Sequence, residues 1–142
     1  MQRTRSNMPT PSLSDQARAF LTEKRFAVLA TINANGTPQL TTMWYELQGD
    51  EIMMNTKVGR TKEQNLRRDQ RISICVEDGY RYVTLSGTAR LIDDQPTAQA
   101  DIRRLAERYH TAEKAAQIVR DQFTKERRMT FRMTIERVVE DL

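Results

Sequence analysis

A hairpin signal near the start of the chain is the feature that most constrains its fold. The apolar run FAVLATI is followed by NANG and then by the longer segment TPQLTTMWYEL. The Asn35-Gly36 pair within NANG favours the tight turn that joins two antiparallel strands. A continuous apolar run of this length is also typical of a buried strand. The sequence therefore predicts an antiparallel hairpin whose first strand lies in the core.

Four further segments have the composition of strands. They are EIMMNT, RISICVE, YRYVTLSGTARLI and MTFRMTIERVV. The Asp78-Gly79 pair turns the chain between the second and the third of them. Gly87 lies inside the third segment and predicts a bulge or a close approach of two backbones. Together with the hairpin, these segments make six predicted strands.

Three segments between the strands have helical periodicity. They are PSLSDQARAFLTEKR, TKEQNLRRDQ and DDQPTAQADIRRLAERYHTAEKAAQIVRDQF, and Pro96 in the last suits a first helical turn. Six short strands joined mostly by tight turns, with helices between them, predict a small antiparallel barrel with peripheral helices. The strand TTMWYEL is apolar on both faces, so we expect the barrel interior to cover one face and a second subunit the other.

The length of the chain sets the number of domains. At 142 residues it suits one domain with a single core, which we place at 12–142, after a leader 1–11 that we expect to be disordered. No apolar stretch has the length of a membrane span, and the start MQRTRSNMPTPS lacks the apolar segment of a secretion signal. Cys75 is the only cysteine, so it cannot form an internal disulfide. We therefore expect a cytoplasmic protein.

A net charge of +4 favours anionic partners without identifying them. Nucleic acid, phosphate-bearing cofactors and acidic metabolites all fit that charge. Nucleic acid is the weakest of the three, because the basic residues of AERYHTAEKAAQIVRDQFTKERR are interleaved with acids, as on a solvated helix face. The sequence also has no Gly-rich nucleotide fingerprint, no cluster of metal ligands and a single histidine, His110. If the protein is an enzyme, we expect a bound cofactor to carry the difficult chemistry.

The segment NTKVGRTKEQNL concentrates positive charge where a strand passes into a helix. Thr61 and Gln64 have the spacing of a capping box, which would start the helix at about Thr61. Arg60 and Lys62 then lie at the positive end of the helix dipole, where cations destabilise the helix. An anion removes that conflict, because a helix N-terminus and two cations can share a phosphate. We therefore predict a phosphate site at Arg60 and Lys62, against the alternative that both are solvated surface charges.

The same region carries a family resemblance. The stretch FAVLATINANGTPQLTTMWYELQGDEIMMNTKVGRTKEQNLRRDQRISICV resembles the opening barrel of the pyridoxamine-phosphate-oxidase-like split-barrel flavoproteins. More narrowly, it is similar to their branch of reductases that depend on a deazaflavin, coenzyme F420. The motifs are LAT, then G-x-P-Q, then R-x-K-x-x-N-L-R-R-D after the third strand, and the similarity continues through LSGTARL. In this chain the longest motif is formed by Arg60, Lys62, Asn65, Leu66, Arg67, Arg68 and Asp69.

The resemblance implies a mainly β (α+β) fold, a homodimeric six-stranded antiparallel split β-barrel with peripheral helices. It places two cofactor clefts along the subunit interface and implies that Arg60 and Lys62 bind the cofactor phosphate. The other implied contacts are Thr41, Thr42 and Trp44 along the ring, Asn55, Thr56 and Lys57 near the cofactor's chain, and Tyr80 and Tyr82 from the partner subunit.

The activity implied by the resemblance is hydride transfer between the deazaflavin and an unsaturated small molecule, such as a quinone, an enone or a tetrapyrrole. An FMN-dependent oxidoreductase and a non-catalytic flavin or F420 carrier stay open, because one phosphate clamp serves each of them. Vitamin B6 oxidation is not expected, since no histidine follows His110 to form the arginine-x-histidine element of the oxidases proper. No catalytic residue is assigned, and solvent and Tyr45 are both open as the proton source. Arg127 and Arg128 are interpreted as a solvated turn, with an acidic cofactor tail as the alternative partner.

Overall fold

The computed structural model describes residues 13–142, so the predicted leader 1–11 lies outside the described residues. The helices are α1 (Asp15–Thr22), α2 (Thr61–Arg68), α3 (Gln95–Tyr109) and α4 (Ala112–Asp121), followed by a short 3-10 helix, Phe123–Lys125. The strands are β1 (Ala27–Ile32), β2 (Pro38–Met43), β3 (Glu46–Gln48), β4 (Glu51–Lys57), β5 (Arg71–Asp78), β6 (Arg81–Ile92) and β7 (Arg128–Asp141). In this part of the chain, no helix is long and apolar enough to span a bilayer.

All seven strands form one sheet in the order β2-β1-β5-β6-β7-β4-β3, with antiparallel neighbours throughout. The predicted hairpin joins β1 and β2, and Gly36 in its turn has a φ of +89°, which favours glycine. β2 and β3 lie at opposite edges of the sheet, although only Trp44 and Tyr45 separate them in sequence. Because this link keeps the two edges close, the sheet curls into a half-barrel. The predicted antiparallel, barrel-like α+β fold is confirmed.

The predicted strand TPQLTTMWYEL is divided in two, which gives seven strands where the sequence predicts six. The break lies at Trp44 and Tyr45. The Tyr45 hydroxyl donates a hydrogen bond to the Leu21 carbonyl at 2.8 Å, and the Tyr45 ring is fully buried. Trp44 stacks on Tyr109 of α3, with 5.3 Å between the ring centroids. Both contacts join segments distant in sequence, so the local sequence of the strand gives no sign of the break.

Two hydrophobic clusters form the core. The main cluster packs the buried faces of the strands against α1 and Leu66 of α2. The smaller cluster joins Met53 of β4 to α3, α4 and the 3-10 helix. Since Ile52 and Met54 face the main cluster, β4 is buried on both sides. The single helical segment predicted after β6 is divided into α3 and α4. Thr111 caps α4, because its hydroxyl accepts a hydrogen bond from the Lys114 amide at 3.2 Å.

Gly87 lies at the bulge that its position in the sequence predicts. The register between β6 and β7 shifts between Ser86 and Gly87. A Cβ atom on Gly87 would lie 1.8 Å from the carbonyl oxygen of Thr134. This strand pair therefore requires glycine, because backbone atoms of β7 occupy the space that a side chain would need.

Candidate functional site

A cleft of about 290 Å³ opens beside the start of α2. The end of β2, the end of β4, the β4–α2 loop and the first residue of β7 form one side. Residues of α3 and of the segment entering the 3-10 helix form the other. Most of the residues predicted to contact a cofactor line this cleft, namely Thr42, Trp44, Asn55, Thr56, Lys57, Arg60 and Lys62.

The loop between β4 and α2 contains a tight turn that precedes the cationic residues of the helix start. Gly59 has a φ of +104°, in the left-handed region that favours glycine. Arg60 follows as the N-cap residue in an extended conformation, and α2 begins at Thr61, where the sequence predicts it. The predicted capping box is wrong, because Thr61 is already helical and no side chain makes the capping hydrogen bond. Gln64 instead reaches the Gly59 carbonyl at 3.5 Å.

The start of α2 differs from the starts of the other α-helices in the described chain. Ser14, Asp94 and Thr111 cap α1, α3 and α4, each by accepting a hydrogen bond from the backbone amide three residues later. At the corresponding position α2 has Arg60, which cannot accept such a bond. The first-turn amides of a helix and its dipole both attract anions. The start of α2 is therefore open to an anionic group.

Lys62 is a buried cation without a hydrogen bond or an ion pair to the residues that the structure describes. The residue is only 6% exposed. Every fully buried side-chain nitrogen and oxygen among residues 13–142 has a hydrogen-bond partner, so the Lys62 ammonium must reach the cleft that the residue lines. Burial, followed by the charges of Arg60 and Arg128, holds the pKa of Lys62 below its ordinary value. An anion in the cleft would stabilise this charge.

Arg128 is the cation of the cleft that the sequence did not assign to the site. The sequence places Arg128 in a solvated turn, but in the structure the residue is only 7% exposed and lines the cleft. Its Nε donates to the Asn55 side-chain oxygen at 3.0 Å, and its Nη1 donates to Glu126 at 2.8 Å. Burial lowers the pKa of Arg128 although the Glu126 carboxylate favours its charge. Arg128 reaches the cleft because it pairs with Lys57 in the register of β4 and β7, which no local pattern reveals.

Asn55 holds Arg128 in place. Its side-chain nitrogen donates to the Ala98 carbonyl at 2.9 Å and to the Thr130 hydroxyl at 3.0 Å, while its oxygen accepts from Arg128. Both amide hydrogens and the oxygen are therefore engaged within the protein. Asn55 thus orients a cation of the cleft, and its own contact with a cofactor stays a prediction.

Positive charge exceeds negative charge in the cleft. Lys57, Arg60, Lys62 and Arg128 line it. Two of these cations share the Glu126 carboxylate. Its Oε2 lies 3.7 Å from Nζ of Lys57, and its Oε1 lies 2.8 Å from Nη1 of Arg128. A ligand with a phosphate group, whose oxygens accept hydrogen bonds from ammonium and guanidinium groups, matches this excess.

The other side of the cleft is aromatic and aliphatic. Trp44 lies almost parallel to Tyr109, with 8° between the ring planes, and meets Phe123 edge to face at 6.4 Å between centroids. Ile102 and Leu105 of α3 line the cleft beside these rings. Because the Trp44 ring is held by packing, this wall suits a flat conjugated ligand.

Three of the predicted contact residues lie away from the cleft. Thr41 is opposite Leu29 in the register of β1 and β2, on the face of the sheet that carries the core. Tyr80, in the turn between β5 and β6, is 97% exposed, and Tyr82 at the start of β6 is half-buried. The predicted contact of both tyrosines with the cofactor of a partner subunit stays a prediction.

The structure excludes Tyr45 as the proton source. Its hydroxyl donates to the Leu21 carbonyl in the core, and none of the residue is exposed. Burial raises the pKa of Tyr45 to about 12. The break between β2 and β3 brings Trp44 to the cleft and leaves Tyr45 buried.

Several proteins are similar to this chain. The F420H(2)-dependent biliverdin reductase of Mycobacterium tuberculosis (strain CDC 1551 / Oshkosh) is 30% identical over 104 residues, which are 72% of this chain and 76% of the relative. The crystal structure of the conserved hypothetical protein Rv2991 from Mycobacterium tuberculosis has a TM-score of 0.74 and 32% identity, and the match covers 94% of this chain and 89% of that one. A solved F420 reductase has the same fold, with a TM-score of 0.72, 23% identity and coverage of 89% and 98%.

The family comparison spans nearly all of the described residues. Residues 13–140 match the sequence model of the pyridoxamine 5'-phosphate oxidase family. This match includes both sides of the cleft and every strand of the sheet except the last residue of β7. The chain belongs to the pyridoxamine 5'-phosphate oxidase family.

Proposed function

We propose that this protein is an oxidoreductase that binds coenzyme F420 and uses it to reduce an unsaturated organic substrate. Family membership supports an oxidoreductase that depends on F420 or on a flavin. The name of the curated relative, an F420H(2)-dependent biliverdin reductase, supports F420 as the cofactor and a tetrapyrrole among the candidate substrates. The single cysteine of the chain favours the cytoplasm as its location.

The unpaired Lys62 ammonium is the observation that carries the proposal. It lies in one cleft with Arg60 and Arg128, at a helix start that no side chain caps. A phosphate can accept hydrogen bonds from the helix amides and from the side-chain cations together. F420 and FMN each contain a phosphate, so the residues of the cleft fit either cofactor.

The chain itself would bind and orient the reactants, while a bound deazaflavin would supply the hydride. The cations hold one end of the cofactor. Trp44, Ile102 and Leu105 offer an apolar wall against which the ring or the substrate can pack. Holding two reactants in a fixed orientation lowers the barrier to their reaction, because less entropy is lost in the transition state.

Titration with both cofactors tests the choice between them. Protein from a host that makes no F420 is titrated with F420 and with FMN, and the preferred cofactor is then used in reduction assays on quinones, enones and tetrapyrroles, including biliverdin. We expect tighter binding of F420 and turnover of at least one substrate class. Yellow protein that retains FMN would favour the FMN-dependent oxidoreductase, and binding without turnover would favour the non-catalytic carrier.

Removal of the two predicted phosphate contacts tests the site. The double variant Arg60→Ala, Lys62→Ala should weaken cofactor binding by about a hundredfold or more, because two charge-assisted hydrogen bonds are lost. The control variant Arg103→Ala, Lys114→Ala removes two exposed cations from α3 and α4 and should bind normally. Circular dichroism checks that both variants are folded. Unchanged affinity in the first variant would contradict the assignment.

We also propose that two copies of the chain associate through the outer face of the sheet. A row of uncharged residues crosses five strands of this face, namely Thr42, Val28, Cys75, Thr84 and Val139. Val28 and Val139 are 39% and 40% exposed, and Leu40 on the same face is 65% exposed. An exposed apolar face of this kind is typical of an interface between subunits.

A further inference from the structure

Glu63 is an acidic residue in the first turn of the helix whose start forms the proposed phosphate site. It follows Lys62 directly and is 4% exposed. A carboxylate in a first turn stabilises the helix dipole. Turned toward the cleft, however, the same carboxylate would take the place of an anionic ligand. The contacts of Glu63 therefore bear directly on the site.

Both oxygens of Glu63 are engaged by protein groups. Oε1 accepts a hydrogen bond from the Gly59 amide at 2.8 Å, and Oε2 accepts one from Nε of Arg67, one turn further along α2. Arg67 in turn donates through both terminal nitrogens to the two oxygens of Asp93, at 3.0 and 2.6 Å. These contacts link the loop that precedes Arg60 to the segment between β6 and α3.

The contacts act on the site in two ways. The bond to Gly59 fixes the turn that precedes Arg60 and so sets the direction from which Arg60 enters the cleft. The Arg67 guanidinium offsets the charge of the Glu63 carboxylate, so the helix start keeps its attraction for an anion. A Glu63 carboxylate without this partner would repel a phosphate held by the adjacent Lys62.

We propose that Glu63 and Arg67 are positioning residues for the cofactor phosphate. Glu63 shapes the loop, and Arg67 neutralises Glu63 while Asp93 holds Arg67 in place from the exposed side. The inference rests on the proposed function, since it requires a phosphate at Arg60 and Lys62.

A second substitution should reverse the effect of the first on cofactor affinity. Arg67→Met should lower the affinity for a phosphate-bearing cofactor by about tenfold, because it leaves the Glu63 charge unopposed near the phosphate. Adding Glu63→Gln to that variant should restore most of the affinity, since the glutamine can still accept from Gly59 but carries no charge. Residues that act through fold stability alone would give losses that add.

Dissociation constants are measured for F420 and FMN, and for riboflavin and the deazaflavin riboside, which have no phosphate. The phosphate-free ligands should bind all variants equally. Arg68→Met is the matched control, because Arg68 lies beside Arg67 in α2 but donates to the Ile32 carbonyl and to Asn65. Arg68→Met should leave the ratio of phosphate-bearing to phosphate-free affinity unchanged. Arg67→Lys keeps the charge and should keep most of the affinity even if the fold is less stable.

The outcomes separate this inference from the proposed function. If Arg67→Met weakens all ligands equally, or if Glu63→Gln fails to restore the affinity, the inference is overturned and the proposed function stands. If the wild-type protein binds neither F420 nor FMN, both are overturned. Selective loss of the phosphate-bearing ligands, with recovery in the double variant, supports the inference.

Discussion

Lys62 is a residue whose burial opposes folding. Its ammonium has no ion pair within the described chain, and the cations Arg60 and Arg128 are close enough to lower its pKa. Proteins keep such unfavourable features mainly where a function needs them. A bound phosphate would supply the missing partner, so ligand binding should raise the stability of the protein through mass action.

Substitution of Lys62 should therefore stabilise the free protein. We expect Lys62→Met to raise the free energy of unfolding by about 1 kcal/mol at neutral pH, because the unpaired charge of a largely buried side chain is removed. Charged Lys62 penalises the folded state fully below its lowered pKa, and the penalty disappears as the pH rises from that value to 10.5, the ordinary lysine pKa. The advantage of the variant should thus shrink in alkaline solution.

Urea denaturation of both proteins across this pH range measures the effect. Lys62→Arg is the control. Because arginine stays charged, the free energy of unfolding of this variant should not rise toward alkaline pH as that of the wild type does. A Lys62→Met variant that is less stable than the wild type at neutral pH would contradict the interpretation.

The residues of the cleft differ in how far the sequence predicts them. Arg60 and Lys62 could be predicted because their positions relative to a helix start are local information. Arg128 could not, because its burial depends on the pairing of β7 with β4, which lie far apart in the sequence. The same pairing lets Asn55 bond Arg128, so the part that Asn55 plays was equally hidden.

At the scale of elements, local patterns predict where helices and strands occur better than where they end. The strand-like composition of TPQLTTMWYEL continues without interruption, yet contacts of Trp44 with Tyr109 and of Tyr45 with Leu21 divide the strand. The capping spacing of Thr61 and Gln64 is present, yet Arg60 occupies the cap. In the first case tertiary contacts override a local preference.

The bulge at Gly87 can be tested by adding one carbon atom. Gly87→Ala should lower the free energy of unfolding by about 3 kcal/mol or more, because its Cβ would overlap the Thr134 carbonyl and force β6 and β7 apart. Gly36→Ala is the control: its φ of +89° is unfavourable for alanine, but no atom lies within 4 Å of the added carbon, so a loss of about 1 kcal/mol is expected. Chemical denaturation compares the two. Equal losses would show that strand contact at Gly87 is unimportant.

At the scale of the whole molecule, the antiparallel barrel could be predicted, but its closure could not. The six predicted strands and their turns indicate the class of fold. The pairing of β4 with β7 places β3 at the far edge of the sheet from β2, and the short link from β2 to β3 then holds these two edges close, so the sheet curls. Pairing between segments so distant in sequence is decided by the packing of the complete chain.

The proposed association of two copies makes a prediction at the same scale. Leu40→Glu should convert a dimer into a monomer, because it places a charge on the apolar outer face. Gln117→Glu changes the charge by the same amount on the exposed surface of α4 and should leave the assembly unchanged. Analytical ultracentrifugation measures the mass of each protein. A wild-type protein that sediments as a monomer, or a Leu40→Glu variant that stays dimeric, would contradict the proposal.

The pairing of β4 with the last strand has a consequence for the protein as it is made. Arg128 is synthesised well after Asn55, Lys57 and Lys62, which leave the ribosome before it. The complete set of cations in the cleft therefore cannot assemble until β7 has been made. A cofactor could stabilise a finished barrel, but it could not act as a template around which the barrel forms. Chains that end before β7 would gain no stability from the cofactor in the cell.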